Sequence, residues 1–171
     1  MTAKEPVPAR IHPALSALLG HWRGSTVVTA GPWGPESSLA AEVSYTAVAG
    51  GLGVVQSYHH AEPDGSHFEG HGIFTVDPVH SDVLWYYVDS TGVPPGTAAR
   101  CTWHDGVLHV ERHSPSGWTR HSIWVEDGVL THVTELRTVG KGDGGDAPDA
   151  GTNGKASPYR QFMRSEFHHQ G

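Results

Sequence analysis

From Trp22 onward apolar residues recur at every second position, and turn-forming residues interrupt them every 8–12 positions. That rhythm belongs to an all-β sandwich or barrel. In 39–48, Leu39, Ala41, Val43 and Tyr45 alternate with Glu42, Ser44 and Thr46, which predicts a strand with one wet face. Gly50-Gly51 predicts a tight turn before a strand at 52–60, and Pro63-Asp64-Gly65 predicts another turn. Strands follow at 67–76, 83–90, 98–104, 107–113, 118–126 and 129–138. Between them lie Asp77–Asp82, Val93-Pro94-Pro95-Gly96, Asp105-Gly106, Ser114-Pro115-Ser116-Gly117 and Asp127-Gly128. A last strand runs from Tyr159 to His168. Parallel pairing would need crossover helices, and the pattern contains none. Nine or ten strands in up-and-down order close into a single antiparallel barrel, which removes the exposed edges.

Residues 1–11, polar and carrying Pro6 and Pro8, read as a flexible arm. A short helix is expected at 13–19. Pro13 suits its first turn, Leu15, Leu18 and Leu19 form one apolar face, and Gly20 supplies a left-handed cap. So small an apolar face suits a plug for one end of the barrel. Residues 140–157 (GKGDGGDAPDAGTNGKAS) have nothing to bury and read as a disordered loop. The remainder, 12–171, reads as one barrel domain.

Charge narrows the partners. Eighteen acidic against 11 basic residues give −7, with no basic stripe, which argues against nucleic acid. No apolar run approaches the ~20 residues that span a bilayer, and the N-terminus does not resemble a signal peptide. The single cysteine, Cys101, fits a reducing compartment, so a cytoplasmic location is expected. Fourteen histidines raise the question of a metal. His59 and His60 are adjacent and point to opposite faces of a strand, and His67 and His71 sit ~13 Å apart along theirs. A solvated histidine-rich surface is therefore expected, without a metal site.

Turn chemistry allows the inside of the barrel to be derived. With Ser114–Gly117 as a loop and Asp127-Gly128 as a two-residue type I′ turn, 111 faces 120 and 120 faces 135. Glu111, Arg120 and Glu135 then form a ladder of alternating charge, which belongs outside. The opposite face, Leu108, Val110, Arg112, His121, Ile123, Val125, Leu130, His132, Thr134 and Leu136, is the interior. It is mostly apolar with a polar minority, as a small-molecule pocket is. The 67–90 hairpin pairs Val76 with Val83, Phe74 with Trp85, Gly72 with Tyr87 and Gly70 with Asp89, so Trp85 and Tyr87 point inward beside glycines. Glu69 and Asp89 fall on opposite faces and make no dyad. The candidate ligand contacts are Arg112, His121, His132, Thr134, Trp85, Tyr87 and Tyr45. Expected partners are a small hydrophobic molecule and, for assembly, a homodimer.

Leu18-Leu19-Gly20-His21-Trp22-Arg23-Gly24, after a short helix and opening the first strand, resembles the G-x-W signature of lipocalin-like barrels. The resemblance implies a lipocalin- or fatty-acid-binding-protein-like (calycin-type) barrel in which a basic residue of the last strand packs over Trp22. Arg164 is the first candidate and Arg160 the second, through a cation–π contact worth ~0.5–2 kcal/mol. With His12-Pro13, Phe68-Glu69-Gly70-x-Gly72 and Asp89-Ser90-Thr91-Gly92, the chain also resembles a family of bacterial lipocalin-like domains without assigned function. More distantly it is similar to nitrobindin-like haem barrels, whose H-x-E-x-G-like stretch reads here His67-Phe68-Glu69-Gly70-His71-Gly72, with one inserted position. That likeness implies haem as an alternative cofactor. Its ligand would come from His168 or His169 at the frayed chain end, or from His121 or His132 on the inner wall.

Three functions follow. The barrel binds a small apolar or amphipathic molecule whose polar end is oriented by Arg112, His121 and His132. Alternatively it binds haem. In the third reading it is an enzyme in which His121 and His132, diagonal across a strand pair and ~7 Å apart between backbones, act as acid–base groups. No nucleophile motif, paired carboxylates or phosphate loop supports the third, and a non-catalytic role is expected.

Overall fold

The alternation is realised as a closed barrel of ten antiparallel strands in the order β1-β10-β9-β8-β7-β6-β5-β4-β3-β2. The computed structural model describes residues 11–93, 96–114, 117–137 and 158–171. The loop expected at 140–157, and all of the expected arm but Ile11, lie outside the described residues. The elements are α1 (Pro13–Ser16), β1 (Gly20–Val28), β2 (Ser37–Val48), β3 (Gly53–Ala61), β4 (His67–Val76), β5 (Val83–Asp89), β6 (Ala99–His104), β7 (Val107–Ser114), β8 (Gly117–Glu126), β9 (Val129–Arg137) and β10 (Arg160–Gln170).

Turn chemistry propagates register as expected. Asp105-Gly106 and Asp127-Gly128 both have positive φ at their two residues, the conformation of a type I′ hairpin turn. The registers Phe74↔Trp85, Gly70↔Asp89, Glu111↔Arg120 and Arg120↔Glu135 are those derived from the sequence. Arg120 donates two hydrogen bonds to Glu135, at 2.7 and 3.1 Å, on the outer face. Gly70 and Gly72 leave room for inward aromatics: a Cβ on either would collide with Tyr87 or with Trp85 and Gln56.

One end of the barrel is plugged. Ala14, Leu15 and Leu18 are buried in one core cluster with Trp22, Val43 and Tyr45. The helix is shorter than expected, four residues, with His12 as N-cap accepting from the Ala14 amide. Gly20 does not cap it; at φ 119° it already opens β1. Trp22 donates its indole N–H to the Leu18 carbonyl at 2.8 Å, which ties the plug to the wall.

The residue over Trp22 is neither Arg164 nor Arg160. β10 runs on to Gln170, so His169 pairs with Trp22, and their rings meet edge-to-face at 4.9 Å. Arg164 pairs with Val27, near the far end of β1, and faces outward, where it bonds Glu166 and lies 5.8 Å from the Trp124 ring. Parity explains the correction. Ser165 and Phe167 point inward and are buried, so 164 and 168 point out. The chain end is paired strand rather than a frayed tail, with His168 opposite both Arg23 and Val129.

Candidate functional site

At the end opposite α1 the barrel holds a cavity of about 600 Å³. Its wall divides by strand. On β7, β8 and β9 stand Arg112, Thr119, His121 and Thr134; on β10, β1 and β2 stand Phe162, Met163, Val28 and Leu39. In the closed strand order β9 adjoins β10, and β10 adjoins β1, so a mostly polar stretch of wall, which also carries Leu136, runs on into a mostly apolar one, which also carries Ser37. Phe162 and Met163 both reach the cavity because the register shifts between Gln161 and Met163, a bulge that turns two successive side chains the same way. Trp33, in the loop between β1 and β2, lines the cavity at the same end and packs edge-to-face on Phe162 at 4.8 Å.

Of the expected ligand contacts, Arg112, His121, Thr134 and Tyr87 line this cavity, whereas His132, Trp85 and Tyr45 stand behind it. Arg112 is half-buried. Its guanidinium lies 5.2 Å from the Trp85 ring and 5.1 Å from the Tyr87 ring, and it donates to the Tyr87 carbonyl at 3.3 Å. Burial lowers its pKa, with Tyr87 and Asp89 opposing the shift. Trp85 donates to the Gln56 amide oxygen at 3.1 Å, and the Gln56 amide nitrogen donates to the Tyr45 hydroxyl at 3.2 Å. Gln56 and Tyr45 thus hold Trp85, one of the two rings beside Arg112.

His121 and His132 share a hydrogen bond of 3.0 Å between His121 Nδ1 and His132 Nε2, with the Thr134 hydroxyl at 3.4 Å from the same Nδ1. Burial drives His132 down to about 4. Burial first, then His132 and Arg112, hold His121 well below the ordinary imidazole value. Both rings are therefore neutral at pH 7. His121 Nε2 is buried without a hydrogen-bond partner.

A second polar group lies on β3. His60 is buried, contrary to the expected solvated surface, while its neighbour His59 is exposed on the outer face. Its Nδ1 meets the Tyr58 hydroxyl at 2.7 Å and its Nε2 the Glu62 carboxylate at 2.8 Å; Tyr58 continues to Thr26 and Thr26 to Ser165. Sequence reasoning missed His60, Gln56 and Trp33. Val54, Gln56, Tyr58 and His60 share one parity, which placed the two polar residues on the apolar face of β3. A tryptophan between Gly-Pro and Gly-Pro, in 31–35, was the signal for Trp33.

Haem, which the likeness to nitrobindin-like barrels implies, needs an imidazole nitrogen with space in front of it. The histidines lining the cavity are His60, with both ring nitrogens engaged, and His121, whose free Nε2 is covered and whose ring is held edge-on to Trp85 at 4.8 Å. His132 Nε2 is taken by His121, and His168 faces outward. As arranged, these residues do not fit an axial ligand. Among the described residues no group of three or more His, Cys, Asp or Glu is placed to hold a metal ion.

Comparison with known proteins agrees with the fold. No curated protein matches the chain in sequence. Rv2717c from M. tuberculosis, known from a crystal structure, superposes with a TM-score of 0.64 over 95% of this chain and 100% of its own, at 17% identity, a likeness of fold alone. Residues 7–97, which carry the plug, β1–β5 and the inner-wall residues His60 and Tyr87, match the model of a family described as protein of unknown function (DUF1579). Arg112, His121, His132 and Thr134 lie beyond that stretch. With more than half of its length matched, the chain belongs to the DUF1579 family.

Proposed function

We propose that this barrel binds a small amphipathic molecule, without a resident haem, in the cavity at its unplugged end. The observation that carries the reading is the divided wall, Arg112, Thr119, His121 and Thr134 on β7–β9 beside Phe162, Met163, Val28 and Leu39 on β10, β1 and β2, around about 600 Å³. That volume falls in the range of small-molecule sites. Apolar burial supplies affinity, and the polar wall, its His121 held in orientation by His132, selects the ligand's polar end. An acid–base role for the histidine pair has less support, because a base titrating near 4 is weak at neutral pH.

Native mass spectrometry of freshly purified protein, set against the same sample denatured, tests the reading. An organic adduct released on denaturation is the expected result, or, for protein purified empty, saturable one-site enhancement of anilinonaphthalene sulfonate fluorescence that Leu39→Trp abolishes. An adduct of haem mass overturns the proposal, as does a clean mass together with no saturable fluorophore binding.

A further inference from the structure

The mouth of the cavity carries more negative than positive charge. Glu62, just past the end of β3, and Asp89, the last residue of β5, both line it at the unplugged end. Each carboxylate keeps one oxygen without a protein partner. Glu62 Oε1 meets His60 Nε2 at 2.8 Å, and the Thr91 amide and hydroxyl both donate to Asp89 Oδ1. No hydrogen bond from the described residues reaches Glu62 Oε2 or Asp89 Oδ2. A carboxylate only accepts, so His60 Nε2 carries the proton of its bond to Glu62, and Nδ1 takes the Tyr58 hydroxyl proton. A neutral imidazole satisfies both bonds, and it holds Glu62 without cancelling its charge.

Among the described residues, Arg112 is the lysine or arginine that lines this cavity. It feels the charge of Asp89 without lying in ion-pair contact with it. His121, held neutral by burial, adds no charge. One positive against two negative charges leaves the cavity short of a cation, in a chain of net charge −7. Apolar walls focus the field of such carboxylates into the cleft. Aromatic rings stand at the same mouth: Phe68 stacks on His60 at 4.9 Å, and Trp33 lines the cavity with a half-exposed ring. The faces of such rings attract cations. An independent observation points to an occupant, since His121 Nε2 is a buried polar atom for which the protein supplies no partner.

Resting on the ligand-binding reading above, we propose that the ligand is an amine whose ammonium group is received at the mouth by Glu62 and Asp89, beside the Phe68 and Trp33 rings, and whose apolar body lies against the β10–β1–β2 stretch of wall. One ammonium brings the charges lining the cavity to zero, whereas an acid would add a third negative charge to the same space. Arg112 and His121, on the polar stretch, meet a neutral hydrogen-bonding group of the same molecule, because Arg112 repels a second cation and the nearby Asp89 repels a negative group.

The experiment compares 4-phenylbutylamine, 4-phenylbutan-1-ol and 4-phenylbutanoate on the full chain at pH 7 by calorimetry, since the three share one apolar body and differ in charge. The amine is expected to bind about tenfold more tightly than the alcohol, the usual scale for a charge-assisted hydrogen bond, and the acid more weakly than either. Added salt is expected to shrink the preference, because the carboxylates at the mouth are partly solvated. Glu62→Gln combined with Asp89→Asn keeps acceptors for His60 and Thr91. That variant is expected to erase the amine's advantage while the alcohol still binds, and to bind the anionic anilinonaphthalene sulfonate more tightly than the wild type does. The wild-type comparison needs no variant, so it stands even where the double variant folds poorly. Equal affinity for amine and alcohol, or tightest binding of the acid, overturns the amine and leaves the amphipathic reading intact. An advantage that survives the double variant overturns the assignment to Glu62 and Asp89. Failure of all three to bind overturns the amphipathic reading and the amine together.

Discussion

Replacing His132 by glutamine removes a titrating group while keeping a hydrogen-bonding side chain opposite His121 Nδ1. Burial depresses the His132 pKa from 6.5 to about 4 in the folded protein, while the unfolded chain retains the ordinary value. A depressed histidine pKa means that the unfolded state binds more protons between those two values. The stability this group preserves is therefore complete above about 6.5 and is lost as pH falls towards about 4. Integrating the linkage from pH 7 to pH 4 gives a loss of roughly 3 kcal/mol from this one residue. Against a typical domain stability of about 5–15 kcal/mol, that is large enough to measure. Urea unfolding at a series of pH values, read by tryptophan fluorescence, gives ΔG against pH for both proteins. The wild type is expected to lose stability more steeply, so that the gap between the two curves changes by about 3 kcal/mol from pH 7 to pH 4. Parallel curves over that range would refute the reasoning, because they would mean that His132 titrates alike in the folded and unfolded chains. An NMR titration of the His132 ring offers a direct check, with a midpoint near 4 expected.

Other consequences are as direct. His169→Ala should cost about 0.5–1.5 kcal/mol by removing the ring against Trp22, whereas Arg164→Ala, on the outer face, should cost under about 1 kcal/mol; urea melts showing the reverse order would restore the arginine as the closing residue. Gly72→Ala forces a methyl onto Trp85 and Gln56, so a loss of about 1–3 kcal/mol with altered tryptophan emission is expected, and an unchanged melt would contradict the packing. Burial pushes the Cys101 thiol up to about 12, so iodoacetamide at pH 8 should leave the native protein unmodified and alkylate one equivalent after unfolding; mass spectrometry distinguishes the two.

How much was legible from the residues depends on how register is transmitted. Within a strand, alternation determines which side chains share a face, and a two-residue turn such as Asp127-Gly128 passes that parity to the next strand. Arg112, His121 and Thr134 could therefore be placed on one inner wall from sequence alone, as could Tyr87 beside Gly72. A long connection breaks the transmission, because its turn chemistry imposes no register. The first and last strands meet only on closure, so the bulge at Phe162 and the pairing of Trp22 with His169 had no local signal, and Arg164 was assigned to a face it does not occupy. The same limit hid the partners of β3. His60 could be assigned a parity, but its burial against Tyr58, and the chain of hydroxyls through Thr26 to Ser165, exist because β1, β3 and β10 converge on one interior. The sequence by itself determined an all-antiparallel barrel and the sidedness of its hairpins, since both rest on interactions between near neighbours. Only the tertiary structure decided which end is plugged, which side chains share the cavity, and which polar atoms are left without partners. Those properties depend on groups far apart in the chain sharing one dry space, where a polar atom must find a partner or remain unsatisfied.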